Sequence, residues 1–120
     1  TILIGHSCGG GFLVRWLSEH KDVNVGKVVL VAPWINPDNN PDSDTADFFD
    51  FEIDPNLASR TKGLTIFNSS NDHASIHETV KILNEKIAGI KMVEFKDYGH
   101  FCYSDLKTDA FPELFMEVLV

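Results

Sequence analysis

Four short apolar runs, Thr1–Ile4, Lys27–Ala32, Leu64–Phe67 and Lys91–Phe95, alternate along the chain with segments of helical periodicity. The runs are apolar on both faces, so each must be covered on both sides. Gly5 and Pro33 stop the first two, and the polar loop from Asn68 to Asp72 follows the third. The first helix is expected from about Gly9 to His20, with Phe12, Leu13, Trp16 and Leu17 on one face. A second is expected over Ile76–Ile87, with Val80, Leu83 and Ile87 inward. Ser75 there reads as N-cap, and Glu78 as its capping-box partner. A third runs over Phe111–Val120, opened by Pro112. Strands and helices that alternate in this way build a parallel sheet flanked by helices on both faces. The expected fold class is therefore α/β, and 120 residues suffice for one domain.

The charge balance narrows the partners. With 18 acids against 10 bases, the formal charge is −8. Such a chain repels nucleic acid and anionic membrane, so neither is an expected partner. Two cysteines are too few for a disulfide scaffold. No apolar run reaches the roughly 18 residues of a membrane span, and no secretion signal is present. The expected location is cytoplasmic. No Cys/His grouping has zinc spacing, so no metal or cofactor is expected. The chain opens in mid-strand at Thr1, which reads as the C-terminal part of a longer protein.

Residues 34–60 interrupt the alternation. They hold Asp38, Asp42, Asp44, Asp47, Asp50, Glu52 and Asp54, with no base before Arg60. Trp34, Phe48, Phe49 and Phe51 lie among the acids. Two readings stand side by side. One is a solvated crossover whose phenylalanines dock onto the sheet. The other is an acidic, Phe-rich lid whose aromatic rings line a pocket at the strand ends.

Gly5-His6-Ser7-Cys8-Gly9 fits G-x-S-x-G between an apolar strand and a helix. That context is the nucleophile elbow, in which a strained turn lifts the serine hydroxyl clear of the backbone. The backbone N–H of Cys8 would face a developing oxyanion. A serine needs a base, and His100 follows Tyr98-Gly99 just after the last strand. His73 is its rival, and His6 flanks the nucleophile. His20 and His77 read as solvent-facing. The base needs a carboxylate, and Asp72 ends the loop after the third strand. Asp97 and Asp105 are alternatives close to His100 in sequence. The order Ser7, Asp72, His100 is that of α/β-hydrolases. Loops after parallel strands converge on one sheet edge, so the three side chains can meet. His6, Trp34, Phe48, Phe49, Phe51, His73 and Phe101 are candidate pocket residues around them. Cys8 and Cys102 read as buried thiols.

With these residues in place, the chain resembles the α/β-hydrolases, specifically the small serine hydrolases of the YdeN and retinoblastoma-binding-protein-9 type. The resemblance rests on Gly5–Gly9, on Phe67–Asp72 and on Tyr98-Gly99-His100-Phe101. It covers most of the chain and is strongest in the elbow and the last third. It implies a serine-hydrolase triad acting on small esters or related acyl compounds through an acyl-enzyme. Family members often carry an aspartate-proline pair at the acid, where this chain has Asp72-His73. The Leu-x-Cys-x-Glu motif is absent, so the retinoblastoma partner is not implied. The resemblance also implies earlier strands, roughly a third of the full domain, which would supply a second oxyanion donor. Without them the first strand would be an apolar edge open to self-association. The competing readings are a non-catalytic α/β-hydrolase-like binding protein and thioesterase or peptidase chemistry on the same triad.

Overall fold

The computed structural model describes residues 1–38 and 47–119. Asp42, Asp44 and Val120 lie outside the described residues. The elements are β1 (Leu3–His6), α1 (Cys8–Glu19), β2 (Val28–Val31), a single 3-10 turn (Leu57–Arg60), β3 (Leu64–Ser69), α2 (Ala74–Lys86), β4 (Ile90–Phe95), α3 (Tyr103–Leu106) and α4 (Pro112–Leu119). The strands form one parallel sheet in the order β1-β2-β3-β4. β3 runs two residues past Phe67, because Asn68 and Ser69 pair with Glu94 and Phe95.

Side chains alternate along a strand. Gly5, Leu30 and Ile66, which are in register, therefore share one face, and His6, Val31 and Phe67 share the other. α1 covers the first face so closely that a Cβ on Gly5 would stand 2.7 Å from the Gly9 carbonyl oxygen. α2 joins β3 to the next parallel strand, and the uniform right hand of such crossovers puts it on the same face. α4 lies on the opposite face, where Phe67 meets Phe111 and Thr65 reaches Glu117. Both faces are thus covered over β2 and β3, whereas the edge strand β4 keeps Lys91, Met92 and Glu94 exposed, contrary to the expectation for its run. All four residues of β2 are buried. At the β1 edge, Ile2 and Ile4 remain about half exposed, at 51% and 49%. Among the described residues, no helix is long and apolar enough to cross a membrane.

Three local expectations need correction. The inward face of α1 is Gly10, Gly11, Val14, Leu17 and Ser18, while Phe12 is 46% exposed. The glycines take the inward positions because the chain beyond β2 passes very close. A Cβ on Gly11 would lie 2.1 Å from the Trp34 carbonyl oxygen. The capping box at Ser75 does not form, since α2 already starts at Ala74 behind His73. Ser75 instead sits in the first turn, where its carbonyl accepts the Thr79 hydroxyl. Cys8 and Cys102 are free and exposed rather than buried.

Arg60 ties residues 47–60 to the end of α1. Its Nη2 donates to the Leu17 carbonyl (2.6 Å) and to Asp54 Oδ2 (2.9 Å), and its Nη1 donates to the carbonyls of His20 and Val23. α1 has no base of its own in its last turn, so this guanidinium supplies the positive charge that a helix C-terminus favours. Asp54 is buried. Burial alone would push its carboxyl up, but the Asn56 N–H and the Arg60 guanidinium outweigh that and hold it below its ordinary value. Arg60→Met should therefore cost about 1–3 kcal/mol in urea unfolding, because buried Asp54 loses its guanidinium partner and keeps only the Asn56 N–H. A loss under about 1 kcal/mol would mean that the clamp is energetically idle. The depressed carboxyl also fixes a sign: its contribution is complete above about pH 4 and fades as acid titrates the folded-state group.

Candidate active site

Ser7 stands between β1 and α1 with φ 56° and ψ −121°. Side chains rarely adopt this region, and such strain persists only where the surroundings enforce it. Here the backbone is held on both sides. The Ser7 N–H donates to the Val31 carbonyl, and the Ser7 carbonyl accepts from Gly10, Gly11 and Trp34. The hydroxyl does not cap α1. It lies 2.9 Å from His100 Nε2 instead.

His100 Nδ1 sits 3.0 and 3.1 Å from the two carboxylate oxygens of Asp72. The Asp72 side chain is fully buried, whereas that of His100 is 20% exposed. An ionised carboxylate only accepts, so Nδ1 carries the hydrogen. In the neutral ring, Nε2 then offers its lone pair to the Ser7 hydroxyl. Asp72 Oδ1 also accepts the His73 N–H at 2.7 Å. The three side chains come from loops after β1, β3 and β4, and the parallel sheet delivers all three to one edge.

A set of bonds to the backbone joins the acid loop to the base loop. Ser69 Oγ accepts the Tyr98 N–H (2.8 Å), and Asn71 Oδ1 accepts the Gly99 N–H (2.7 Å) and the Ser69 hydroxyl (2.8 Å). Asp105 accepts the His100 backbone N–H at 3.0 Å. It thus holds the backbone of the base and makes no ring contact of the kind Asp72 makes. Gly99 has φ 58°, and a Cβ there would stand 2.5 Å from Asp105 Cγ, so glycine is required at this turn. Ser69 and Asn71 carried no signal of this role in the sequence beyond their place in a polar loop.

The other candidate residues divide. His6 Nε2 lies 2.7 Å from the His100 carbonyl oxygen. The His73 ring centroid is 5.7 Å from that of His100. His73 is exposed, and the contact to Ser7 belongs to His100. Trp34 meets Ser7 through its backbone N–H, while its ring packs edge-on to Phe49. The four phenylalanines each find apolar neighbours. Phe49 is buried in the core. Phe48 stacks on Phe12 beneath Arg15. Phe51 lines a cleft with Ile53, Pro55 and Lys86. Phe101 joins Phe95, Tyr98 and Phe111. The cause is the apolar area each ring removes from water. His77 is half-buried, its Nε2 bonded to the Ser69 carbonyl, rather than solvent-facing. An apolar groove of about 510 Å³ runs between β4 and α4, but Ser7, Asp72 and His100 are not among its walls. Among the described residues, no cluster of His, Cys, Asp and Glu could hold a metal ion.

Comparison with known proteins bears on the fold. A predicted CIB-like hydrolase from Thermoplasma acidophilum superposes with a TM-score of 0.58 at 21% identity, over 99% of this chain and 48% of its own. A protein described as a hydrolase from Agrobacterium vitis S4 superposes with a TM-score of 0.54 at 17% identity, over 88% of this chain and 57% of its own. Both likenesses are of fold, and the chain spans about half the length of these structures. No curated protein matches the chain in sequence. The family model of the alpha/beta hydrolase fold, however, matches residues 1–77. The chain, with its parallel sheet and its serine at a strand-to-helix elbow, belongs to the α/β-hydrolase fold family.

Proposed function

We propose that Ser7, His100 and Asp72 are the nucleophile, base and acid of a serine hydrolase that cleaves carboxylic esters or related small acyl compounds. The observation that carries this reading is the continuous hydrogen-bonded line from Ser7 Oγ through the His100 ring to a fully buried Asp72. Membership of a hydrolase family supports it.

In this mechanism the Ser7 oxygen attacks the acyl carbonyl while its proton passes to His100 Nε2. Asp72 holds the Nδ1–H tautomer and stabilises the imidazolium that forms. The carbonyl oxygen becomes an oxyanion facing the Cys8 N–H at the start of α1, where the helix end adds favourable partial charge. Collapse expels the alcohol, which takes the proton back from His100. Water then attacks the acyl-enzyme by the same route, with His100 again as base.

A fluorophosphonate probe tests the reading directly, because it phosphonylates only an activated serine. The expected result is one modified peptide, with the label on Ser7 by mass spectrometry, together with turnover of small activated esters. A folded chain that takes the label at another serine and leaves Ser7 unmodified would overturn the assignment.

A further inference from the structure

We infer that His6 is a positioning residue for the base: from β1, one residue before the nucleophile, it holds the backbone of His100 at the distance Ser7 requires. The inference rests on the serine-hydrolase reading above. A carbonyl can only accept, so His6 Nε2 carries a hydrogen and donates it to the His100 oxygen at 2.7 Å. The two rings sit 4.9 Å apart, tilted by 42°.

The loop that carries His100 needs such a tie. Asp97, Gly99 and Phe101 all have left-handed backbones, at φ 62°, 58° and 61°. The residue itself lies beyond the end of β4, outside the sheet ladder. Its N–H is held by Asp105, its ring by Asp72, and its carbonyl by His6 at 2.7 Å and by the Cys102 thiol at 3.7 Å. Of these residues, His6 alone starts from the strand that carries the nucleophile, and it makes the shorter bond to the carbonyl. It therefore links the position of the base to that of the serine without passing through the acid loop. His6 is exposed, so it adds little to the core, and its loss should act on alignment rather than on stability. A misplacement of about 1 Å between reacting groups can cost roughly 10²-fold in rate.

Two substitutions separate alignment from bulk. His6→Phe keeps a flat ring and removes the donor. His6→Gln brings an amide N–H to about the reach of Nε2. We expect His6→Phe to slow fluorophosphonate labelling of Ser7, and kcat on an activated ester, by about 10- to 100-fold. KM and the thermal midpoint should barely move. His6→Gln should restore most of the rate. A second readout needs no turnover: the Nδ1–H proton that His100 shares with Asp72 is visible by proton NMR. In His6→Phe it should broaden and exchange faster than in the unmodified protein. A His6→Phe variant with unchanged labelling rate and unchanged resonance would overturn the inference, as would His6→Gln behaving like His6→Phe. Failure of the hydrolase reading looks different. The unmodified protein then fails to label at Ser7, while the NMR comparison still decides whether His6 positions His100.

Discussion

Ser7→Ala is expected to bring ester hydrolysis down by about 10⁶-fold, close to the loss seen when a whole triad is removed from a serine hydrolase. The fold should survive for reasons visible in the site. The Ser7 hydroxyl caps no helix. The bond that is lost runs to His100, whose side chain is 20% exposed, so water can take its place. The backbone strain at φ 56° is also unchanged, because alanine carries the same Cβ that serine does. The variant should therefore match the unmodified protein in circular dichroism and in its urea midpoint while failing to label with fluorophosphonate. Retained ester hydrolysis in Ser7→Ala would remove Ser7 as the nucleophile, and a collapsed midpoint would show that the hydroxyl serves the fold.

The frame of this molecule was legible because sheet formation is written in residue type. Continuous apolar runs such as Val28–Val31 have one physical outlet, a strand covered on both faces, and the structure places them there. The elbow was legible for a related reason. Only glycine fits at Gly5, where α1 turns back against β1, and the serine beside it has a backbone that other contexts avoid. Parallel topology then made the positions of Asp72 and His100 readable, since both follow strands.

What escaped the sequence depends on partners that residue type does not name. The inward face of α1 includes Gly10 and Gly11, and close approach to Trp34 leaves no hydrophobic signal in a periodicity. Phe48, Phe49, Phe51 and Phe101 share the composition of a pocket wall. Their destinations were set by which neighbouring surface could bury each ring. The ties from His6, Ser69, Asn71 and Asp105 all end on backbone atoms. Every residue has a backbone N–H or carbonyl to offer, so nothing in the chain marks the ones that are used.

Asp72→Asn is expected to lower kcat by about 10⁴-fold with the site otherwise in place. The surroundings of Asp72 explain why an isosteric amide should do so much harm. Its Oδ1 accepts the His73 N–H at 2.7 Å, so an asparagine there must keep its carbonyl oxygen toward His73. The amide nitrogen then takes the place of Asp72 Oδ2, 3.1 Å from His100 Nδ1, beside the Oδ1 that stays at 3.0 Å. The two compete for the ring nitrogen: Oδ1 accepts an Nδ1–H, whereas the amide N–H favours the ring tautomer with its hydrogen on Nε2. That tautomer points a hydrogen, not a lone pair, at the Ser7 hydroxyl, and the nucleophile loses its base. Because the Asp72 side chain is fully buried, no water can stand in for the lost carboxylate charge. The rate with an activated ester, followed beside circular dichroism, checks the outcome. A loss of less than about tenfold would mean that the imidazole does not depend on Asp72 for its tautomer. Asp105, which reaches the backbone N–H of His100 at 3.0 Å, would then be the next carboxylate to replace.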